Sequence, residues 1–200
     1  VGSEMCIRDS SGDIIGCIGI TEPDAGSDVK NIKTKAEDKG DYYLLNGSKT
    51  FITNGVYGDF VITVAKTDTT AGTKGISLLV VDLNSEGINR TKIKKLGWHA
   101  SDTAEISFDN VKIPKENLIG EEGKGFYYLM NGLQLERLIF VPSCIGAMEF
   151  AISESIKYMK QRKSFGQTID KFQALRHKIA SLSSEIESVK VFGYYCCELY

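Results

Sequence analysis

The chain lacks most of the features that mark membrane, secreted or nucleic-acid-binding proteins. No apolar run approaches the ~20 residues that a membrane-spanning helix needs. The net charge is only −2, from 24 Lys and Arg against 26 Asp and Glu. No charge excess therefore draws the chain to nucleic acid or to an anionic membrane. Cysteine is sparse and odd in number, at positions 6, 17, 144, 196 and 197. The five show no paired metal-ligand spacing, and the set argues for a reducing compartment over a disulfide framework. Cys196 and Cys197 are expected to pack on a helix without a redox role.

Histidine, tryptophan and proline are equally scarce. His99 and His177 have no companion at triad or metal spacing, so a loop and a helix-surface position are expected, and no metal site. Trp98, beside Gly97, is expected to pack. Pro142 falls in a helical stretch, where it removes the bond to Leu138 and is expected to kink the helix. Repeats and low-complexity segments are absent.

What is present fits an enzyme-sized core: 42% of residues are hydrophobic and 25% charged. From about residue 12 to 115, short β-branched and aromatic runs alternate with Gly, Asn and Asp. Strands are expected at 13–20, 60–65, 76–81 and 105–108. The runs 42–45 and 49–53 flank Asn46-Gly47, a two-strand hairpin signal. These spacings predict antiparallel sheets folded as a sandwich or barrel, with 67–74 a polar loop. Beyond Gly120 the period changes to that of helices. Ile145, Met148, Ile152, Ile156 and Met159 form one apolar stripe, and Leu175, Ile179, Leu182, Ile186, Val189, Gly193 and Cys196 form another. Two such stripes predict an incomplete bundle, with the 175–196 stripe left substantially exposed.

The most informative segment is Ile18-Gly-Ile-Thr-Glu-Pro-Asp-Ala-Gly-Ser-Asp28. An apolar strand gives way to a loop in which Pro23 and Gly26 permit a sharp turn. Thr21, Ser27 and backbone N–H groups offer donors suited to nucleotide phosphates. By chemistry alone a polar β-turn with acidic residues is the favoured reading. Further motifs follow: Lys33–Ala36, Leu45–Gly55, Lys95-Leu-Gly-Trp-His-Ala-Ser-Asp-Thr-Ala104, Phe108–Pro114, Leu118–Phe126 and Gln161-Arg-Lys-Ser-Phe-Gly166. In this order, from about residue 12 to 200, they resemble the acyl-CoA dehydrogenase family, closest to its long-chain and isovaleryl types.

The resemblance implies an α+β fold: an antiparallel, sandwich- or barrel-like middle β domain over 12–120, then the start of a C-terminal four-helix bundle over 121–200. Residues 1–11 match nothing in the family and read as an artefactual head, which would make the chain a fragment. Implied for FAD are Ile18, Ile20 and Thr21 along the isoalloxazine and Gly26 and Ser27 by the pyrophosphate. Phe51, Ile52 and Thr53 would cover the flavin and approach N5. Arg162, Ser164 and Phe165 would reach a neighbouring subunit's FAD, and Gln173 would add a contact. Ser27, Tyr127, Gln134 and Arg137 would touch the acyl-CoA. Asp24 stands where the family usually has Gly, and Phe51 where many members carry Trp.

Most members of the family carry their catalytic base late in the C-terminal domain. Here Gly132-Leu-Gln-Leu-Glu-Arg-Leu138 matches a minority pattern that makes Glu136 the base removing the thioester α-proton. Its apolar neighbours are expected to raise its pKa. Without the resemblance, a helical Glu-Arg pair is ordinarily solvated. The implied activity is FAD-dependent α,β-dehydrogenation of an acyl-CoA, with electrons passed to an electron-transferring flavoprotein. A homodimer or homotetramer is implied, in a bacterial cytoplasm or mitochondrial matrix. An acyl-CoA oxidase, a flavin monooxygenase of the same fold, and a non-catalytic fragment or scaffold are the alternatives.

Overall fold

The computed structural model describes residues 10–200. Cys6 and most of the unmatched head lie outside the described residues. The chain divides into two compact units, one up to Leu129 and one from Met130 to Tyr200. No helix among the described residues is long and apolar enough to cross a membrane.

The first unit is a seven-stranded sheet: β1 (Gly16–Gly19), β2 (Lys35–Asp38), β3 (Tyr42–Thr53), β4 (Phe60–Lys66), β5 (Ile76–Asp82), β6 (Ile88–Lys92) and β7 (Thr103–Pro114). The strand order is β1-β4-β2-β3-β7-β6, with β5 paired to the other side of β4. Pairing is antiparallel except at β4, where β1 and the start of β2 run parallel to it. The long excursion through β2 and β3 between β1 and β4 permits that parallel pair, since a tight hairpin cannot. β2 and β6 are short strands that sequence patterning did not single out.

The core lies where period-2 alternation turns one face inward. Tyr43 and Leu45 of β3, Val61 and Ala65 of β4, Leu79 and Val81 of β5, and Ile106, Val111 and Ile113 of β7 are all buried together. No helix longer than the four residues Gly72–Gly75 interrupts residues 42–81.

The Asn46-Gly47 hairpin does not form. β3 runs unbroken from Tyr42 to Thr53. Gly47 has φ 147°, and a Cβ there would lie 2.5 Å from Thr34 Oγ1. Its glycine serves close backbone approach, not a turn. The register slips between Leu45 and Gly47 because β7 carries an extra residue at Asp109-Asn110, where Asn110 has φ 53°. Asn46 faces that bulge and its Oδ1 accepts the Asn110 N–H at 2.9 Å.

The second unit holds most of α1 (Gly125–Gln161) and all of α2 (Gln173–Leu199). Between them β8 (Lys163–Ser164) and β9 (Gln167–Thr168) form a small hairpin. α1 continues through Pro142. The following Ser143 donates its hydroxyl to Ile139 O at 3.2 Å. The 175–196 stripe is only partly exposed, contrary to expectation. Leu175, Leu182 and Val189 are exposed, but Ile186 and Gly193 are buried. Gly193 lies against Val141 and Ile145 of α1, so α1 covers part of the stripe by itself. Trp98 is not packed either: it is 85% exposed at φ 56°. Cys197 is exposed and Cys196 half-buried, and the described cysteines are all free thiols.

Candidate active site

The loop after β1 is closed by its own carboxylate. Glu22 and Ala25 exchange backbone hydrogen bonds at 2.9 and 3.2 Å, with Pro23 and Asp24 forming the tip. The Glu22 side chain turns inward and accepts the backbone N–H of Lys33 at 2.5 Å and of Thr34 at 3.0 Å. Lys49 of β3 meets it from the sheet, donating to Glu22 Oε1 at 2.8 Å and to Ile20 O at 3.1 Å. Both side chains of this ion pair are buried, at 0% and 4% exposure. Burial pushes the Lys49 ammonium down to about 8, against the pull of Glu22. For Glu22, burial alone would raise the pKa. The Lys49 bond and charge, with the Thr34 and Lys33 contacts, outweigh it and leave the carboxyl below its ordinary value.

A second bulge shapes the opposite side of the site. Between Lys49 and Ile52, β3 has one residue more than β7. Phe51 takes up the excess at φ 60° and stands 67% exposed, while Ile52 is buried. The bulge releases the Thr50 N–H from the β3–β7 ladder, and it donates to Thr21 O at 2.8 Å. Below, Asp102 accepts the Val56 N–H at 2.6 Å, and Arg90 donates to the carbonyls of Val56 and Gly58. The turn after Thr53 is thereby held from beneath.

The Thr50–Thr21 bond thus brings the loop that follows Ile18 and Ile20 up to the bulge of Phe51 and Thr53 on β3, with Gly26 and Ser27 just beyond the Pro23 tip. Ile18, Phe51, Thr53, Gly26 and Ser27 are exposed, and Ile20 and Thr21 half-buried. A Cβ on Gly26 would meet nothing within 4 Å, so intrachain packing does not demand glycine, and open space lies over this backbone. Exposed apolar groups beside hydroxyls, with clear space over a loop backbone, fit a flavin ring and its phosphates. Asp24, the departure from the family pattern, is exposed and paired with Lys33. That hydrogen bond and charge hold its carboxyl below the usual range and offset its charge.

The other expected residues lie on other elements. Tyr127 is exposed, its ring 5.8 Å from the Lys124 ammonium. Gln134, Glu136 and Arg137 are exposed on α1. The apolar shielding expected around Glu136 is not supplied by the described residues, because Leu135 and Ile139 are themselves exposed. Arg162 directly follows α1, without an ion-pair partner among the described residues, and its carbonyl accepts the Ile169 N–H at 2.8 Å. Phe165 and Gly166 both take positive φ, 49° and 79°, which makes the β8–β9 turn a two-residue hairpin turn. That turn leaves Phe165 93% exposed, edge-on to Phe172 at 6.2 Å. Ser164 is half-buried, and Gln173 contacts His177 at 3.4 Å on α2. Among the described residues no group of His, Cys, Asp and Glu could hold a metal ion.

Sequence reasoning passed over Glu22, Lys49, Arg90 and Asp102. For Lys49 a signal existed: it occupies an inward position of a strand, where a lysine requires a buried partner.

Residues 17–111 match the model of the acyl-CoA dehydrogenase middle domain, and residues 123–200 that of the C-terminal domain. The mitochondrial long-chain specific acyl-CoA dehydrogenase of Mus musculus is 44% identical over 194 residues, covering 96% of this chain and 45% of that protein. A subunit of the caffeyl-CoA reductase–Etf complex of Acetobacterium woodii is 45% identical over 181 residues, covering 90% of this chain and 48% of its own length. The crystal structure of acyl-CoA dehydrogenase from Geobacillus kaustophilus superposes with a TM-score of 0.90 at 44% identity, covering 98% of this chain and 52% of that one. The chain spans about half the length of the curated relatives it matches. With both domain models matched in order across most of its length, the chain belongs to the acyl-CoA dehydrogenase family.

Proposed function

We propose that the protein containing this chain dehydrogenates an acyl-CoA thioester between its α and β carbons, using FAD, to give the trans-2-enoyl-CoA. The observation that carries this reading is the Thr50–Thr21 backbone bond. It sets Thr21 beside the bulge that exposes Phe51 and Thr53, in a chain whose relatives are named for coenzyme A thioesters. FAD, when bound, supplies the hydride acceptor. Ile18, Ile20 and Phe51 offer it an apolar bed, Ile52 fixes the strand beneath, and Thr21 and Thr53 present hydroxyls. Gly26 and Ser27 leave room and donors for phosphate and pantetheine. Arg162, Ser164 and Phe165 serve the cofactor of a neighbouring subunit, so a homodimer or homotetramer is required, and Gln173 adds a further cofactor contact. Glu136 removes the α-proton, and Tyr127, Gln134 and Arg137 line the substrate path.

Electrons leave to an electron-transferring flavoprotein, a partner supported by the relative that works within an Etf complex. The compartment is a bacterial cytoplasm or a mitochondrial matrix. The test is to express the complete open reading frame, identify the released flavin, and titrate anaerobically with acyl-CoAs of increasing length. Bleaching of the flavin by at least one thioester is expected. A purified protein without flavin, or a flavin that no acyl-CoA reduces, overturns the proposal.

A further inference from the structure

The buried Glu22–Lys49 pair lies beside the proposed cofactor edge and belongs to none of the roles above. A solitary ion pair with both partners almost wholly buried is costly to desolvate, and its Coulombic gain commonly fails to repay that cost. Apolar residues of similar volume would often serve stability as well. The geometry of its contacts suggests why charges stand here. Lys49 donates to the carbonyl of Ile20 and to the carboxylate of Glu22. These are the residues on either side of Thr21. Thr21 itself is tied through its carbonyl to Thr50, the residue after Lys49. Three bonds from two consecutive β3 residues therefore fix three consecutive residues of the loop. The Glu22 carboxylate also accepts the N–H groups of Lys33 and Thr34. It so closes the whole excursion from 22 to 33 on which Gly26 and Ser27 ride. Gly19, next to this segment, leaves no slack: a Cβ there would lie 3.2 Å from Lys49 Cγ.

We infer that Glu22 and Lys49 are a positioning pair: together they hold the Thr21–Ser27 loop in register with the Phe51–Thr53 bulge, so that the two form one cofactor surface. Neither contacts the cofactor; both act through Thr21 and Ser27. The inference rests on the proposed FAD site. It differs from a purely structural role in one measurable respect. A pair that only stabilises the fold lowers thermal stability without altering cofactor affinity in molecules that remain folded. A positioning pair couples to Thr21.

The test measures the FAD dissociation constant by flavin fluorescence on the complete open reading frame, at a temperature where circular dichroism shows the variants folded. Lys49→Met keeps length and removes charge; Glu22→Gln is milder, keeping the shape and one acceptor. Lys49→Met is expected to raise the FAD dissociation constant at least about tenfold, with a smaller rise for Glu22→Gln. Thr21→Val is expected to weaken FAD in the wild type but to add little in Lys49→Met, because Thr21 is then already displaced. Unchanged FAD affinity in a folded Lys49→Met or Glu22→Gln protein overturns the inference, as does full additivity with Thr21→Val. If Lys49→Met does not fold, Glu22→Gln and its cycle with Thr21→Val decide alone. Failure of the wild type to bind FAD sinks the proposed function instead, a distinguishable result.

Discussion

Thr50 donates its backbone N–H to the carbonyl of Thr21 across 2.8 Å, although 29 positions separate them in the chain. The bond exists because β3 carries one residue too many against β7, so Thr50 is left out of the regular ladder. An irregularity in one strand thus becomes the fastening for a loop from another. Bulges recur beside functional sites for this reason: they re-aim a side chain and free a backbone group together.

Glycines on the two sides of this site should respond differently to substitution. Gly47→Ala places a Cβ 2.5 Å from Thr34 Oγ1 and 2.7 Å from Thr34 Cα, at φ 147°. Overpacking and backbone strain together should cost at least about 2 kcal/mol, read as a lower urea midpoint. Gly26→Ala meets nothing and should leave the unfolding free energy within about 0.5 kcal/mol of the wild type while weakening FAD retention. A destabilised Gly26→Ala protein would show that its open space is needed by the fold.

The same contrast explains what the sequence made legible. Periodicity located β1, β4, β5 and β7 and the change to helices, because burial on one face writes a period of two or of 3.6 into the residues. It could not distinguish Asn46-Gly47 as a turn from Asn46-Gly47 as a bulge partner. Both need small, polar residues, and the difference lies in Thr34 and Asn110, which are remote in sequence. The flavin role proposed for Phe51 comes only from the family resemblance; its left-handed backbone follows from register against β7. Lys49 and Glu22 are 27 positions apart, and nothing local pairs them. Exposure of Glu136 was missed because its apolar neighbours Leu135 and Ile139 are themselves exposed and shield nothing.

The buried pair should govern acid stability. The Glu22 carboxyl lies below its ordinary 4.5 in the folded chain, although burial alone would raise it, because the Lys49 bond and charge prevail. The unfolded chain therefore binds the extra proton first as pH falls. Glu22's contribution is complete above the unfolded value and is lost as pH drops through the folded one. Urea melts of the wild type between pH 7 and pH 3 should fall more steeply than those of Glu22→Gln. Parallel slopes would show that other carboxylates set the acid limit.

Thiol reactivity should separate the described cysteines. Burial, with the nearby Asp102 carboxylate adding to it and Arg90 opposing, pushes the Cys17 thiol up to about 12. Its Sγ also contacts Phe60 O at 3.4 Å. Almost no thiolate exists there at pH 8, so alkylation by iodoacetamide should be negligible in the folded chain. Cys197, which is exposed, should be modified first by mass mapping. Early labelling of Cys17 would mean that the β1–β4 pair opens readily.

Arg162 should matter to cofactor retention more than to folding. Its side chain is exposed and forms no ion pair among the described residues, so Arg162→Ala removes no intrachain contact of consequence. If it reaches the FAD of a neighbouring subunit, charge-assisted bonds worth about 1.5–3 kcal/mol are lost. FAD retention through gel filtration should then fall while the melting temperature of the apoprotein stays put. Unchanged FAD content in Arg162→Ala would remove it from the cofactor site.

The decisive chemical prediction concerns Glu136. It stands in Leu-Gln-Leu-Glu-Arg on α1, exposed and next to apolar residues that are exposed as well. A carboxylate beside exposed apolar surface is placed to meet the activated C–H of an acyl chain laid over that surface. Glu136→Gln keeps size and hydrogen-bonding capacity but cannot accept the proton. In the complete protein it should bind acyl-CoA near normally, while anaerobic single-turnover flavin reduction slows by about 10²–10⁴-fold, the usual scale of a lost general base. Glu136→Asp, which retracts the carboxylate by one methylene, should fall between the two. Near-normal reduction in Glu136→Gln would assign the base elsewhere and leave Glu136 as a solvated neighbour of Arg137.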